Sequence, residues 1–259
     1  LYVNVENSVK KVNKPTVYAR FSNINQVENL VEKVEKLILP LEICEKASNI
    51  SMEKLIAQIP RVFFGREDKI YAKILALKAK GLKKVSCATL DAVQLAKKAE
   101  LEFMMDLGSN VFNSQTVASY KEQGADEIVL SPELTLAQAA AISGEGLGLV
   151  TYGRLPLMIT RNCPVKNGTD CKDCGGKRSL TDRLGIEFPV VCGSGYSQVL
   201  NSRPIYMADR QKETAFAAFN LLYFTVETPQ ECEKIIEAYN SASAPEGEFT
   251  RGLYYRGVE

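Results

Sequence analysis

Four cysteines carry the strongest chemical signal in this sequence. Cys163, Cys171 and Cys174 stand within "RNCPVKNGTDCKDCGG" (161–176), and Cys192 ends "FPVVC", giving C-x7-C-x2-C-x17-C. The inner C-x2-C pair lets two thiolates face one metal from a tight turn, and Gly175–Gly176 supply the backbone freedom such a turn needs. Pro164 follows Cys163 and Gly193 follows Cys192, so both outer cysteines read as element ends converging on one point. Gly, Pro, Asn, Asp and Lys surround the set and offer free thiols no burial, which favours metal ligation. Four thiolates suit tetrahedral Zn2+ and an iron–sulfur cluster alike. Cys44 and Cys87, at strand ends, read as core residues; Cys232 lies on a helix and also reads as structural rather than as a ligand.

What is missing narrows the chemistry further. The 259 residues include no histidine. Ser-His-Asp triads, Cys-His dyads, His-ligated catalytic zinc and His-ligated haem are therefore excluded. Acid–base work falls to Asp, Glu, Lys, Cys, Tyr or a bound cofactor. With 46% hydrophobic and 24% charged residues and a net charge of +1, the chain has ample core and no global pull toward nucleic acid. No stretch approaches the roughly 18–20 apolar residues of a membrane span. No secretion signal is visible, so the seven cysteines read as belonging to a reducing, cytoplasmic setting. The start at Leu1 reads as a piece of a longer protein, whose N-terminal part is then an expected partner.

Elements that must position these groups follow a regular alternation. Apolar, β-rich runs fall at 16–21, 37–43, 61–65, 84–89, 102–107, 127–132, 148–153 and 221–227. Helical patterns fall at 24–35, 51–59, 67–80, 90–99, 114–123, 134–142 and 229–239. Ile70, Ile74 and Leu77 show helical spacing, and Ser51 reads as an N-cap. Eight β-runs alternating with helices predict an α/β fold, a (β/α)8 TIM-barrel-like ring, over an open doubly wound sheet, since no glycine-rich fingerprint follows the first run. Residues 154–205 break the repeat and read as a cysteine-rich, metal-binding insertion between the seventh and eighth strands. The chain thus divides into 1–153, βα repeats; 154–205, insertion; and 206–259, the last βα unit with its tail.

Several blocks in order resemble the peptidase U32 family, long labelled collagenase-like proteases. They are "NVFNSQTVASYKEQGADEIVLSPEL" (110–134), "YGRLPLMITRNCPV" (152–165), "LTDRLGIEFPV" (180–190), "LNSRPIYMADR" (200–210) and "FTRGLYYRGVE" (249–259). The resemblance implies a barrel-type core in a bacterial protein. It further implies that a four-cysteine iron–sulfur cluster is to be expected, since several members carry one and hydroxylate tRNA, 23S rRNA or a ubiquinone precursor. Cys163 falls on a cluster position of the family. Pro156 and Tyr206 stand where members carry other cysteines, and Cys171, Cys174 and Cys192 supply the complement at a different spacing. The expected cofactor is a [4Fe-4S] cluster, with Zn2+ as the alternative.

In a parallel barrel, reactive groups collect at the C-terminal ends of the strands. Those positions hold Glu42, Arg66, Asp106, Asn110, Asn113, Ser131, Glu133, Tyr152 and Arg154. Asp106, Glu133 and Tyr152 are the catalytic candidates, and Asn110, Asn113, Arg154 and Arg161 the substrate-binding ones. Helix capping competes for Ser131, Glu133 and Asn113. Between 160 and 183 six Lys or Arg face three Asp, a surplus able to touch the phosphates of structured RNA or to offset thiolate charge. The tail "RGLYYRG" could stack on bases or pack its rings on the barrel. Three functions are therefore expected in order: an iron–sulfur RNA-hydroxylating enzyme, the peptidase of the family label, and an interaction module stapled by a four-cysteine zinc.

Overall fold

A computed structural model describes residues 15–258 except 28, 48, 143, 167–177 and 194. Eight parallel strands close into a ring: β1 (Thr16–Phe21), β2 (Lys36–Pro40), β3 (Leu55–Gln58), β4 (Lys84–Cys87), β5 (Glu102–Met105), β6 (Ala125–Val129), β7 (Leu147–Gly153) and, much later, β13 (Phe219–Phe224). β13 pairs with both β7 and β1, and that double pairing shuts the barrel. Closure leaves no open edge in the ring. The open-sheet alternative is thereby excluded.

Alternation along each strand divides the apolar residues between two layers. Ile38, Ile56, Met104, Val129, Val150 and Leu221 fill the interior. Ala19, Phe21, Leu37, Leu39, Val85, Phe103 and Met105 face outward. That outer layer is covered by α1 (Glu67–Ala79), α2 (Leu90–Lys98), α3 (Ser114–Glu122), α4 (Leu136–Ile142) and α5 (Pro229–Ser241). The N-terminal end of the interior is closed by charge: Lys84 pairs with Glu127 at 3.0 Å and also with Asp126, while the Tyr18 hydroxyl donates to Glu127.

Three local expectations are corrected. The third strand is Leu55–Gln58, not 61–65, so the helix expected over 51–59 does not form. Ser51 does accept a bond from the Glu53 amide, but only in a turn; ladders to β2 and β4 then outweigh local helical preference. The helix expected over 24–35 is two 3-10 turns, Ile24–Val27 and Val31–Lys33, separated by Asn29 at φ +64°. The last helix before β7 begins at Leu136, not 134. Its first turn is closed by Thr135 and Gln138, whose side chains each accept from the other's backbone amide.

Between β7 and β13 the chain leaves the ring and builds a second sheet. Its strands, β8 (Pro156–Thr160), β9 (Arg178–Thr181), β10 (Glu187–Cys192) and β11 (Ser197–Leu200), are antiparallel in the order β8-β11-β10-β9. A short β12 (Ile205–Tyr206) then returns antiparallel to the end of β7. The C-terminal tail locks the underside of this return. Tyr254 is buried and donates to Val150 O at 2.6 Å, while Arg251 grips Asp209 through two nitrogens at 2.7 and 2.8 Å. Of the two tail tyrosines, the Tyr254 ring packs and Tyr255 is exposed.

Candidate functional site at the barrel mouth

Arg20 is the lone cation of the apolar strand β1. Its neighbours Ala19 and Phe21 face the helices, so strand alternation turns Arg20 into the barrel. There its Nη1 meets Asp106 Oδ2 at 2.7 Å. Gln58, the last residue of β3, adds its Nε2 to the same oxygen at 3.4 Å. The second carboxylate oxygen, Oδ1, accepts from the Leu107 amide at 2.7 Å and pins the side chain. Opposite, the Arg20 guanidinium lies 4.3 Å from the centre of the Tyr223 ring. The Tyr223 hydroxyl donates to Gln198 Oε1 at 3.4 Å.

Gln198 belongs to β11, so the inserted sheet is part of the mouth. Pro156, the first residue of β8, lines the same cleft, as do Arg61 and Gly108. Gly108 has a packing reason: a Cβ there would stand 2.9 Å from Ala88 and 3.3 Å from Arg61 Nε. Beyond the cleft, the Arg161 guanidinium lies 5.0 Å over the Phe64 ring. Phe64 is itself held at φ +49°, a conformation bulky residues seldom adopt, and precedes Gly65 at +72°. The insertion thus rests on the loop that follows β3.

Burial opposes the charge on Arg20, yet Asp106 and the adjacent tyrosines outweigh it and raise its pKa. Burial likewise raises Tyr223, with Arg20 pulling the other way. Tyr196, the residue before β11, is raised by burial and feels Arg20, Glu42, Asp106 and Arg61. The mouth is therefore a fixed ion pair framed by amide and phenol groups.

Of the residues expected from sequence, Asp106 lies at the centre of this cleft. Asn110 and Ser131 bond to one another, Asn110 being in the left-handed conformation a few residues beyond Asp106. Asn113 caps α3, accepting from the Thr116 amide at 2.9 Å. Glu133 is exposed, its amide donating to Ser131 Oγ at 3.2 Å. Tyr152 points away from the mouth. Thr151 is an extra residue opposite the Leu221–Leu222 step, and this bulge rotates Tyr152 into the outer layer, where it packs on Phe224 and donates to Glu227 at 3.3 Å. Arg154 anchors the base of the insertion through Asn201 O and Ser202 O.

Cys171 and Cys174 lie outside the described residues. Cys163 is half-buried and Cys192 exposed. Among the described residues, no group of three potential metal ligands comes together. Register nevertheless brings the two described thiols to one end of the inserted sheet. Thr160, three residues before Cys163, pairs with Ser197, and Ser197 pairs with Cys192 on its other side. Cys44, Cys87 and Cys232 are buried elsewhere; burial pushes the Cys44 thiol up to about 12 and raises Cys87 and Cys232 further.

Arg20, Gln58, Gln198 and Tyr223 are not among the site residues expected from sequence. Arg20 has a readable signal, a single cation inside "TVYARF" at an inward position. Gln58 is hidden when the third strand is placed at 61–65, and Gln198 lies in the insertion, whose folding back over the mouth no local pattern reveals.

Residues 62–174 match the model of peptidase family U32. No curated protein matches the chain. Among solved structures, a U32 peptidase, Mk0906, is similar at 13% identity and TM-score 0.47, covering 83% of this chain and 94% of that one. The 3-hexulose-6-phosphate synthase of Salmonella typhimurium is similar at 10% identity and TM-score 0.42, covering 88% and 100%. Chitinase ChiW of a Paenibacillus species follows at 8% and 0.41, covering 89% and 33%. At such scores none of the three bears on the chemistry. The chain is similar to peptidase family U32 over residues 62–174, a stretch that begins in the loop before α1 and runs past β8.

Proposed function

We propose that this chain is a metal-dependent U32 enzyme of RNA hydroxylation, with Cys163, Cys171, Cys174 and Cys192 holding an iron–sulfur cluster beside the barrel mouth. The observation that carries the reading is the register of the inserted sheet. It sets Thr160, at the strand end before Cys163, and Cys192 on either side of Ser197, one strand apart at the same end of the sheet. On the far side, Arg178 opens β9 opposite Val190, two residues before Cys192 in β10. The donor set fits by its chemistry: Cys163 and Cys192 are both unburied thiols near one sheet end, and Cys171 and Cys174 add two more between them in the sequence, outside the described residues. When bound, a cluster supplies one-electron chemistry.

The chain's own residues contribute position. Arg20 and Asp106 hold each other rigid, Gln58 and Gln198 present amides to whatever enters, and the inserted sheet limits water over the cleft. The basic residues of the insertion, Arg161 above Phe64 among them, suit an RNA strand passing over the mouth. The peptidase reading finds less support. Asp106 is held by Arg20 and the Leu107 amide, and among the described residues no hydroxyl or thiol is hydrogen-bonded to an acid–base partner at the mouth.

Anaerobically purified protein should contain iron and acid-labile sulfide and absorb in the visible. Nucleosides of tRNA and rRNA from cells lacking the protein should be missing a hydroxylated species. A colourless protein holding one zinc would end the cluster assignment, and unchanged nucleosides would end the RNA assignment.

A further inference from the structure

The mouth cleft is rich in donors and poor in acceptors. Both oxygens of Asp106 are taken, Oδ2 by Arg20 and Gln58 and Oδ1 by the Leu107 amide. Asp106 is the one carboxylate among the lining residues, and each of its oxygens already accepts a hydrogen bond. Arg61 lines the same cleft, half-buried, and forms no ion pair among the described residues. Because Asp106 offsets Arg20, Arg61 leaves the lining with an uncompensated positive charge.

Neutral groups point the same way. Gln198 accepts from Tyr223 through its oxygen, while its Nε2 is engaged by no described residue. Beneath the cleft, Ser86 pairs in register with Gln58. Its neighbours Val85 and Cys87 face the outer layer, so Ser86 faces inward; its Oγ is fully buried with no partner among the described residues. The cleft holds about 260 Å³ including its open side.

We propose that the barrel mouth is a binding site for a small oxyanion, a carboxylate or phosphoryl group, with Arg61 as its ion partner and Gln198 Nε2 and the remaining Arg20 N–H groups as further donors. The buried Arg20–Asp106 pair is the preset floor of the site. A guanidinium offers two parallel N–H groups, the geometry that carboxylate and phosphate oxygens share. This assignment does not depend on what the cysteines hold.

Titration calorimetry of the full chain with inorganic phosphate and, separately, with acetate tests it. Saturable binding of one equivalent is expected for at least one of the two, and the better ligand distinguishes a phosphoryl from a carboxylate site. Arg61→Gln should weaken that binding about tenfold or more, the effect of losing one charge-assisted pair. Gln198→Ala should weaken it less, and Lys234→Gln, an exposed lysine on α5, should leave it unchanged. Replacing Cys163 and Cys192 by serine should also leave it unchanged, which separates this site from the metal reading. Absence of saturable binding to both anions, or parental affinity in both Arg61→Gln and Gln198→Ala, would overturn the proposal.

Discussion

Arg20 and Asp106, 86 residues apart in the chain, meet at 2.7 Å with side chains only 10% and 3% exposed. One lies near the end of the first strand and the other follows the fifth, so the contact exists only once the ring has closed. It ties opposite walls of the mouth together. Its cost is the desolvation of two charges, which the Leu107 amide, Gln58 and the Tyr223 ring help to offset.

Removing one partner should therefore hurt more than removing both. Asp106→Ala strands a buried guanidinium and should cost about 3–5 kcal/mol in urea unfolding. The double variant Arg20→Met/Asp106→Leu should recover much of that loss. Equal destabilisation by the single and double variants would show that the charge itself is not what matters.

Alkaline conditions should unfold the protein through its tyrosines. Tyr18, Tyr152, Tyr239 and Tyr254 are all raised above the ordinary phenol value, burial being the largest cause in each. The unfolded chain releases these protons near pH 10 while the folded one keeps them, so the unfolded state binds fewer protons and stability falls as pH climbs. Below about pH 9 these groups contribute no slope. Urea midpoints should stay level there and drop steeply above about pH 10, with tyrosinate absorbance appearing together with unfolding. Gradual tyrosinate formation before any loss of structure would contradict this burial.

The cysteines should sort into two classes. Cys87→Ser places a hydroxyl in a fully buried outer-layer position and should cost about 1–3 kcal/mol without changing bound metal. Cys163→Ser and Cys192→Ser should lower bound metal in atomic emission analysis. Their effect on apo-protein unfolding should be small, since neither thiol is buried. Metal content lowered equally by Cys87→Ser would remove the distinction.

Gly148 marks a very tight approach inside the barrel. A Cβ there would collide with the ring of Phe219, which is itself stacked on Tyr18 at 4.4 Å. Gly148→Ala should destabilise by about 1–3 kcal/mol, the usual range for overpacking a full core. Gly144→Ala meets only Leu147 Cδ1 at 3.7 Å and should be close to neutral. Similar melting temperatures for the two variants would contradict the close packing of Phe219.

Strand and helix order is legible in the residues because burial on both faces writes continuous apolar runs, and those runs alternate with helical spacing at Ile70, Ile74 and Leu77. Asp106 is legible too, as a carboxylate directly after the apolar run of the fifth strand. The departures have local causes. "MEKLIAQIP" carries both a helix start signal and a buried strand, and only pairing to β2 and β4 decides between them. Strict alternation turns Tyr152 toward the mouth, and one bulged residue at Thr151 reverses it.

By itself, then, the sequence determined the repeating βα architecture, the place where the ring is interrupted, the histidine-free chemistry and the cysteine spacing, all properties of neighbours along the chain. Only the tertiary structure decided that Arg20 meets Asp106, that Gln198 folds back from the second sheet onto Tyr223, and that Arg61 is left without an ion partner among the described residues. The two contacts join residues 86 and 25 positions apart, and their energies arise from closure and burial, which no local pattern encodes.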